Sequence, residues 1–398
     1  MIAKRLRRSL DTSVCIRDIF EEAKKMAAVY GAENIFNFTI GNPSVEPPAI
    51  VNEAMKEVLD REPALALHGY PANVGHPEVR RHVAEYLNRT FGTCYDETGI
   101  IMTSGAASAL AILANTLLDY EDEVVTFAPY FWEYKSYTEA FYGKLVPARC
   151  DMTTLQPDPV TFEAALSPRT RFVLINTPNN PTGAVYTPQS LRMVAEILEK
   201  KQAEYGHPIY LISDEPYRKL AYDGVEVPYL TDYYQNTIVV YSYSKALSIP
   251  GERIGYIAML PQVADYRDLI AGITASIRYL GYVNAPSLQQ KMLLRCVDAS
   301  VDVSIYQRTR DILYEGLTGI GYTCIHPDGA FYLFVKALEE DDIHFCEVAK
   351  EEHLVFAPGT AFCGPGWVRV SYCVRDEVAR RSLPAWERLY KRYNTILP

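Results

Sequence analysis

The sequence offers little that would commit it to a metal, a disulfide framework or a membrane. Its eight cysteines, Cys15, Cys94, Cys150, Cys296, Cys324, Cys346, Cys363 and Cys373, include no CxxC pair, and its seven histidines show no ligand spacing. Free thiols in a reduced cytoplasm are the expected reading, with no zinc site. The basic start, MIAKRLRRSL, is followed by Asp11, Asp18 and Glu21 rather than an apolar run, so no secretory signal is expected. The segment from Thr98 to Leu118 carries no formal charge, enough to span a bilayer. Thr103, Ser104, Gly105, Ser108 and Asn115 interrupt it, however, and strand, polar loop and helix is the better reading. There is no internal repeat, low-complexity tract or long Gly/Ser linker. Basic residues number 39 against 49 acidic, a net charge of −10, with no long basic stripe. Nucleic acid is therefore a poor partner, because phosphate neutralisation needs clustered Lys and Arg.

What is present is a core-forming composition: 398 residues, 48% hydrophobic and 22% charged. That length suggests two domains. Strand-like runs at 123–127 (EVVTF), 171–176 (RFVLIN), 208–213 (PIYLIS) and 237–242 (TIVVYS) alternate with helical patterns. Between the second and third, Thr187 is a candidate N-cap and Pro188 suits the first helical position. Leu191, Val194 and Leu198 then recur at helical spacing. Near-continuous apolar strands alternating with helices predict an α/β fold whose mostly parallel sheet is covered on both faces. Ligands bind beyond the carboxyl ends of such strands. The last third reads as a smaller α/β unit, with helical pattern from about Ser287 to Leu317 and strands at 331–337 and 367–373.

The polar residues at the predicted strand ends carry the chemistry. In TIVVYSYSKALSIPGERIG, Lys245 follows a strand, with Ser242, Ser244 and Arg253 nearby. A lone lysine is commonly just solvated, but this one lies in an apolar context. Desolvation favours the neutral amine, which Schiff-base formation with an aldehyde requires. The serines and arginine suit a phosphate. In PIYLISDEPY, Asp214 could be a turn or cap residue. Beside a catalytic lysine, it is instead a partner that keeps a pyridine nitrogen protonated, making the ring an electron sink. In NTPNNPTG, a turn by composition, Asn180 is a candidate donor to a ring hydroxyl, joined there by Tyr217. Gly105, Ala106 and Ala107 are small residues where a strand meets a helix start, suited to packing or to an anion at the helix N-terminus. Phe131, in FAPYFWEY, is a core aromatic by default or a platform for a flat ring.

Together IGNP, GYPANVG, TSGAASAL, APYFWEY, NTPNNPTG, SDEPY, SYSKALSIPGERIG and WVRVSYC resemble, in order and spacing, the class I/II aminotransferases of the aspartate aminotransferase-like superfamily, fold type I. The resemblance runs from about Phe36 to Tyr372. It implies a large domain with a seven-stranded sheet at 50–285 and a small domain at 286–398, with residues 1–49 forming an arm and part of the small domain. It implies pyridoxal 5′-phosphate as cofactor, and amino-group transfer between an amino acid and a 2-oxo acid by ping-pong kinetics. Lys245 would be the Schiff-base lysine and proton shuttle, and Asp214 the partner of the pyridine nitrogen. Asn180 and Tyr217 would be ligands of the ring oxygen, Asn180 also lying near substrate, and Phe131 the stacking ring. Gly105, Ala106, Ala107, Ser242, Ser244 and Arg253 would form the phosphate cup. Arg369 would hold the substrate α-carboxylate, with Gly41 close to it. Its alternation with Val368 and Val370 also allows a solvated arginine. Tyr70 would reach the phosphate of a neighbouring subunit, which implies a homodimer with shared sites.

The same motifs serve C–S β-lyases, so lyase chemistry is the alternative reaction. A non-catalytic sensor domain is the alternative of another class, disfavoured because only about 35 residues precede the first motif. Near Tyr279 the sequence lacks the distal arginine of relatives acting on dicarboxylates. Arg278 is one residue off, and Tyr279 and Tyr282 are candidates for an aromatic-tolerant pocket.

Overall fold

The computed structural model describes residues 16–394 together with Ile2 and Arg7. Cys15, Asp11 and most of the basic start lie outside the described residues. Seven strands form the central sheet: β2 (Ile100–Thr103), β3 (Glu123–Ala128), β4 (Lys144–Arg149), β5 (Thr170–Asn176), β6 (Tyr210–Asp214), β7 (Thr237–Ser242) and β8 (Gly255–Met259). Their order is β2-β8-β7-β6-β5-β3-β4. All neighbours are parallel except β8, which runs antiparallel to β2 and β7.

The strands are buried along nearly their whole length because both faces are covered. Along β7, Ile238 and Val240 point to a layer containing helices Ala106–Leu117 and Tyr266–Tyr279. Val239 and Tyr241 point the other way, toward helices Pro77–Phe91 and Ser287–Cys296. This two-sided burial is why the runs read as continuously apolar rather than alternating. The predicted cap is present: helix Pro188–Tyr205 starts after Thr187, whose hydroxyl accepts from the Ser190 amide at 3.1 Å.

A second sheet has the order β12 (Ala357–Pro358), β13 (Trp367–Ser371), β10 (Tyr332–Lys336) and β9 (Cys324–Ile325), all antiparallel. Helices Val303–Ile320 and Asp376–Asn394 pack on it around Trp386, Leu313 and Phe345. The helical pattern expected from Ser287 to Leu317 is thus two helices, broken after Cys296. A short parallel pair, β1 (Phe36–Asn37) with β11 (Leu354–Val355), ties the early chain to this unit. No helix among the described residues is long and apolar enough to cross a membrane. The described cysteines are all free.

Candidate active site

A cavity of about 670 Å³ opens where β5, β6 and β7 end, as expected for such a sheet. Lys245, Asp214, Asn180, Tyr217, Ser242, Ser244, Arg253, Ala106, Ala107, Phe131, Gly41 and Arg369 all line it. Sequence separations of more than 200 residues are closed by the fold.

Lys245 sits in a single helical turn, Tyr243–Ala246, that begins directly after β7. Ser242 caps the turn, its hydroxyl accepting from the Ser244 amide at 3.3 Å. The Lys245 Nζ donates to the Gly41 carbonyl at 2.7 Å and lies 5.5 Å from the Phe331 ring centre. Burial lowers the pKa of this amine to about 8, with Arg253 and Arg369 adding to the effect. About a tenth of the amine is therefore neutral at pH 7, and about half at pH 8. Gly41 itself must be small, since a Cβ there would collide with the Tyr332 hydroxyl.

Asp214 ends β6 and is 4% exposed. Its Oδ2 accepts from the Tyr134 hydroxyl at 2.6 Å, while Oδ1 is buried with no partner among the described residues. Burial raises the carboxyl to about 7, opposed by the Tyr134 hydrogen bond. A buried carboxylate oxygen without a donor is costly unless a ligand supplies one.

Gly105, at φ +85°, turns the chain from β2 into helix Ala106–Leu117. A Cβ there would stand 2.5 Å from Arg253 Nη2. Arg253 reaches across this gap to the Ser104 carbonyl at 3.0 Å and to Ser244 Oγ at 3.2 Å, and Ser244 Oγ is 2.8 Å from Ser242 Oγ. A helix N-terminus, two hydroxyls and a guanidinium thus converge on one end of the cavity, a set suited to a phosphate.

Arg369, on β13, is 3% exposed, so the solvated reading of the Val-Arg-Val alternation does not hold; Asn180, from the loop after β5, and Thr39 meet the face that alternation alone would leave open. It donates to Asn180 Oδ1 at 3.0 Å and to the Thr39 carbonyl at 2.5 Å. The Tyr332 and Phe362 rings lie 4.6 and 4.5 Å from its guanidinium carbon. Its Nε has no partner among the described residues. With the Asn180 oxygen occupied by Arg369, the Asn180 amide nitrogen is the donor left for a ligand. Tyr217 is buried, 2.9 Å from the Tyr332 hydroxyl, and its phenol is pushed well above the usual range by burial. It therefore stays protonated and can donate.

Tyr70 is placed elsewhere: it is 90% exposed and does not line this cavity. Arg278, Tyr279 and Tyr282 also lie outside it. Sequence reasoning did not single out Tyr134, although it stands three residues after Phe131 in a motif already under scrutiny. It also missed Phe20 and Lys24 on helix Ile16–Tyr30, and Ile40, Trp132 and Tyr332, all of which line the cavity. Helical spacing from Phe131 was the available signal for Tyr134; the others come from segments that only tertiary packing brings near.

An amine with a neutral fraction and a carboxylate with an unused oxygen are what a pyridine aldehyde needs, and the anion cup beside them suits its phosphate. On this chemistry the fold and cavity define a pyridoxal phosphate enzyme. Residues 33–383 match the family model for aminotransferase class I and II, and the chain belongs to that family. It is 31% identical to the aspartate/prephenate aminotransferase of Thermus thermophilus, covering 89% of this chain and 90% of that protein. It is 29% identical to aromatic-amino-acid aminotransferase 2 of Thermococcus litoralis, over 96% of each. Among solved structures, an amino transferase from Eubacterium rectale superposes with a TM-score of 0.96 at 47% identity, over 99% of this chain and 100% of that one. The protein is a pyridoxal phosphate-dependent aminotransferase.

Proposed function

We propose that the enzyme moves the amino group of an α-amino acid to a 2-oxo acid by ping-pong chemistry at this cavity, with Lys245 as its proton-transfer base. Residues 50–285 form the cofactor domain, and residues 1–49 and 286–398 the arm and smaller domain. Asp214 holds the ring nitrogen, Asn180 and Tyr217 the ring oxygen, Phe131 a ring face, and Gly105, Ala106, Ala107, Ser242, Ser244 and Arg253 the phosphate. Bound pyridoxal phosphate supplies the electron sink that acidifies the substrate Cα–H bond.

The remaining work belongs to the chain. Arg369 fixes the α-carboxylate, to which a rigid planar fork is matched. Lys245 Nζ, held near Gly41, would take the Cα proton and deliver it to the cofactor carbon bonded to the transferred nitrogen. Burial keeps this amine partly neutral, so it is competent as a base near neutral pH. Asn180 and Gly41 border the carboxylate.

The observation that carries a substrate preference is the rest of the lining. Phe20, Ile40, Trp132 and Tyr332 offer apolar surface, the Lys24 ammonium is paired with Glu21 at 2.8 Å, and the two guanidiniums, Arg253 and Arg369, already have roles. A bulky apolar or aromatic side chain suits this better than a second carboxylate. Half-reactions with phenylalanine, tyrosine, alanine and aspartate, followed by the cofactor's absorption, test it. Phenylalanine or tyrosine should react at least about tenfold faster than aspartate, the discrimination expected when one apolar pocket accepts or refuses a side chain. Aspartate reacting fastest would contradict it.

A homodimer in a reduced cytoplasm completes the proposal. Tyr70, Leu65, Tyr279 and Val283 are exposed, an apolar surface consistent with a second copy covering it and with Tyr70 reaching the partner's phosphate site. Sedimentation should give twice the chain mass, and Tyr70→Phe should weaken cofactor binding. A monomer with full activity would refute this part.

A further inference from the structure

A glutamate in the first turn of a helix ordinarily does no more than offset the free amides there. Glu133, the first residue of helix Glu133–Ala140, differs in where its carboxylate stands. It is half-buried and lines the cavity, two positions after Phe131. The turn that carries it is pinned on both sides. The Tyr134 amide donates to the Phe131 carbonyl at 3.0 Å, and Trp132 packs on Ala357 and Phe362 of the smaller unit. The Tyr137 hydroxyl, one turn further on, donates to Glu133 Oε2 and fixes the side chain. Burial and the carboxylate beside it hold that phenol well above its usual range, so it stays a donor at working pH. Glu133 makes no ion pair among the described residues. Of the charged side chains lining the cavity, Lys245, Asp214, Arg253 and Arg369 have roles toward the cofactor or the α-carboxylate, which leaves Glu21, Lys24 and Glu133. Lys24 and Glu21 are exposed and pair with each other at 2.8 Å. The balance is one negative charge, on the carboxylate that Tyr137 holds.

We propose that Glu133 is a specificity-determining residue of the transamination: its carboxylate refuses an amino donor whose side chain ends in a second carboxylate and leaves the cavity to neutral side chains. A second carboxylate brought into the same half-buried space meets a like charge and no unpaired cation, which is discrimination by repulsion rather than by fit. An amide of the same shape meets no such repulsion and can donate to the Glu133 carboxylate. The proposal rests on transamination at this cavity and deepens the preference argued above. An apolar lining alone also disfavours a charged side chain, by desolvation. The two causes separate at Glu133, because removing its charge leaves the apolar lining in place.

The test compares the cofactor-loaded enzyme with its Glu133→Gln variant on donors matched in shape, glutamate against glutamine and aspartate against asparagine. In the wild type, kcat/KM should favour the amide of each pair by at least about tenfold. Glu133→Gln should bring each ratio to within about threefold, chiefly through the KM of the acid. Competition by two unreactive molecules, succinate and its monoamide, gives a second readout without turnover, and the ratio of their inhibition constants should shift in the same sense. A merely structural role would slow all donors together and leave these ratios unmoved. Should Glu133→Gln not fold, Glu133→Ser removes the same charge. Acid and amide handled alike by the wild type, or ratios that Glu133→Gln leaves unmoved, overturn the proposal. Failure of the underlying chemistry is separable. Normal transamination by Lys245→Ala would overturn that chemistry, whereas unmoved ratios beside an inactive Lys245→Ala would overturn only the role of Glu133.

Discussion

The guanidinium of Arg369, on β13, donates to the side-chain oxygen of Asn180, in the loop after β5, at 3.0 Å. This contact joins the smaller sheet to the cofactor end of the larger one. It also places a buried cation, 3% exposed and with no ion pair among the described residues, in the cavity that Lys245 and Asp214 line.

Arg369→Lys should therefore raise KM for the amino donor and lower kcat/KM by about ten- to a hundredfold, since an ammonium cannot reproduce the two-pronged contact. Saturation kinetics over a series of donors check this. A loss confined to kcat, with KM unchanged, would place the α-carboxylate elsewhere.

The Asp214 carboxyl has a definite pH signature in the cofactor-free chain. Burial raises it to about 7, whereas in the unfolded chain it titrates near the ordinary carboxyl value of about 4. The folded state then binds this proton more tightly than the unfolded state. Its contribution is complete below about pH 4 and is lost as pH rises through 7. Asp214→Asn lacks this loss. The cofactor-free variant should match the wild type near pH 4 and exceed it by up to about 4 kcal/mol at pH 8. Denaturant titrations at the two pH values measure it; a pH-independent difference would contradict the assignment.

Next to that carboxylate, Glu215 serves stability rather than chemistry. It is 1% exposed, accepts from Ser213 Oγ and from Arg218 Nη2 at 2.7 Å each, and Arg218 lies 5.2 and 5.0 Å from the Phe91 and Tyr229 ring centres. Glu215→Gln leaves the Arg218 charge buried without its partner. It should destabilise the protein by about 3 kcal/mol, read as a lowered thermal midpoint. A midpoint within a degree of wild type would show that the backbone carbonyls around Arg218 suffice.

Much of this was legible in the chain itself, for identifiable reasons. β5, β6 and β7 are buried on both faces, so their runs stand out as apolar, and polar residues at their ends are conspicuous. Lys245, Asp214 and Asn180 stand at or just beyond such ends. The burial of Arg369 was not legible, because a strand reports only its own alternation and not the loops packed against it. For Tyr134 the one signal was its helical spacing from Phe131; nothing local marks the carboxylate it meets 80 positions later. The role proposed for Tyr70 is one that a single chain cannot display: its surroundings here are solvent.

The most direct measurement is made on Lys245→Ala. The account predicts loss of the visible absorption of the lysine-bound cofactor and a fall in transamination of at least about a thousandfold, the scale of removing a positioned proton-transfer group. A variant that keeps the wild-type spectrum and turnover would contradict it.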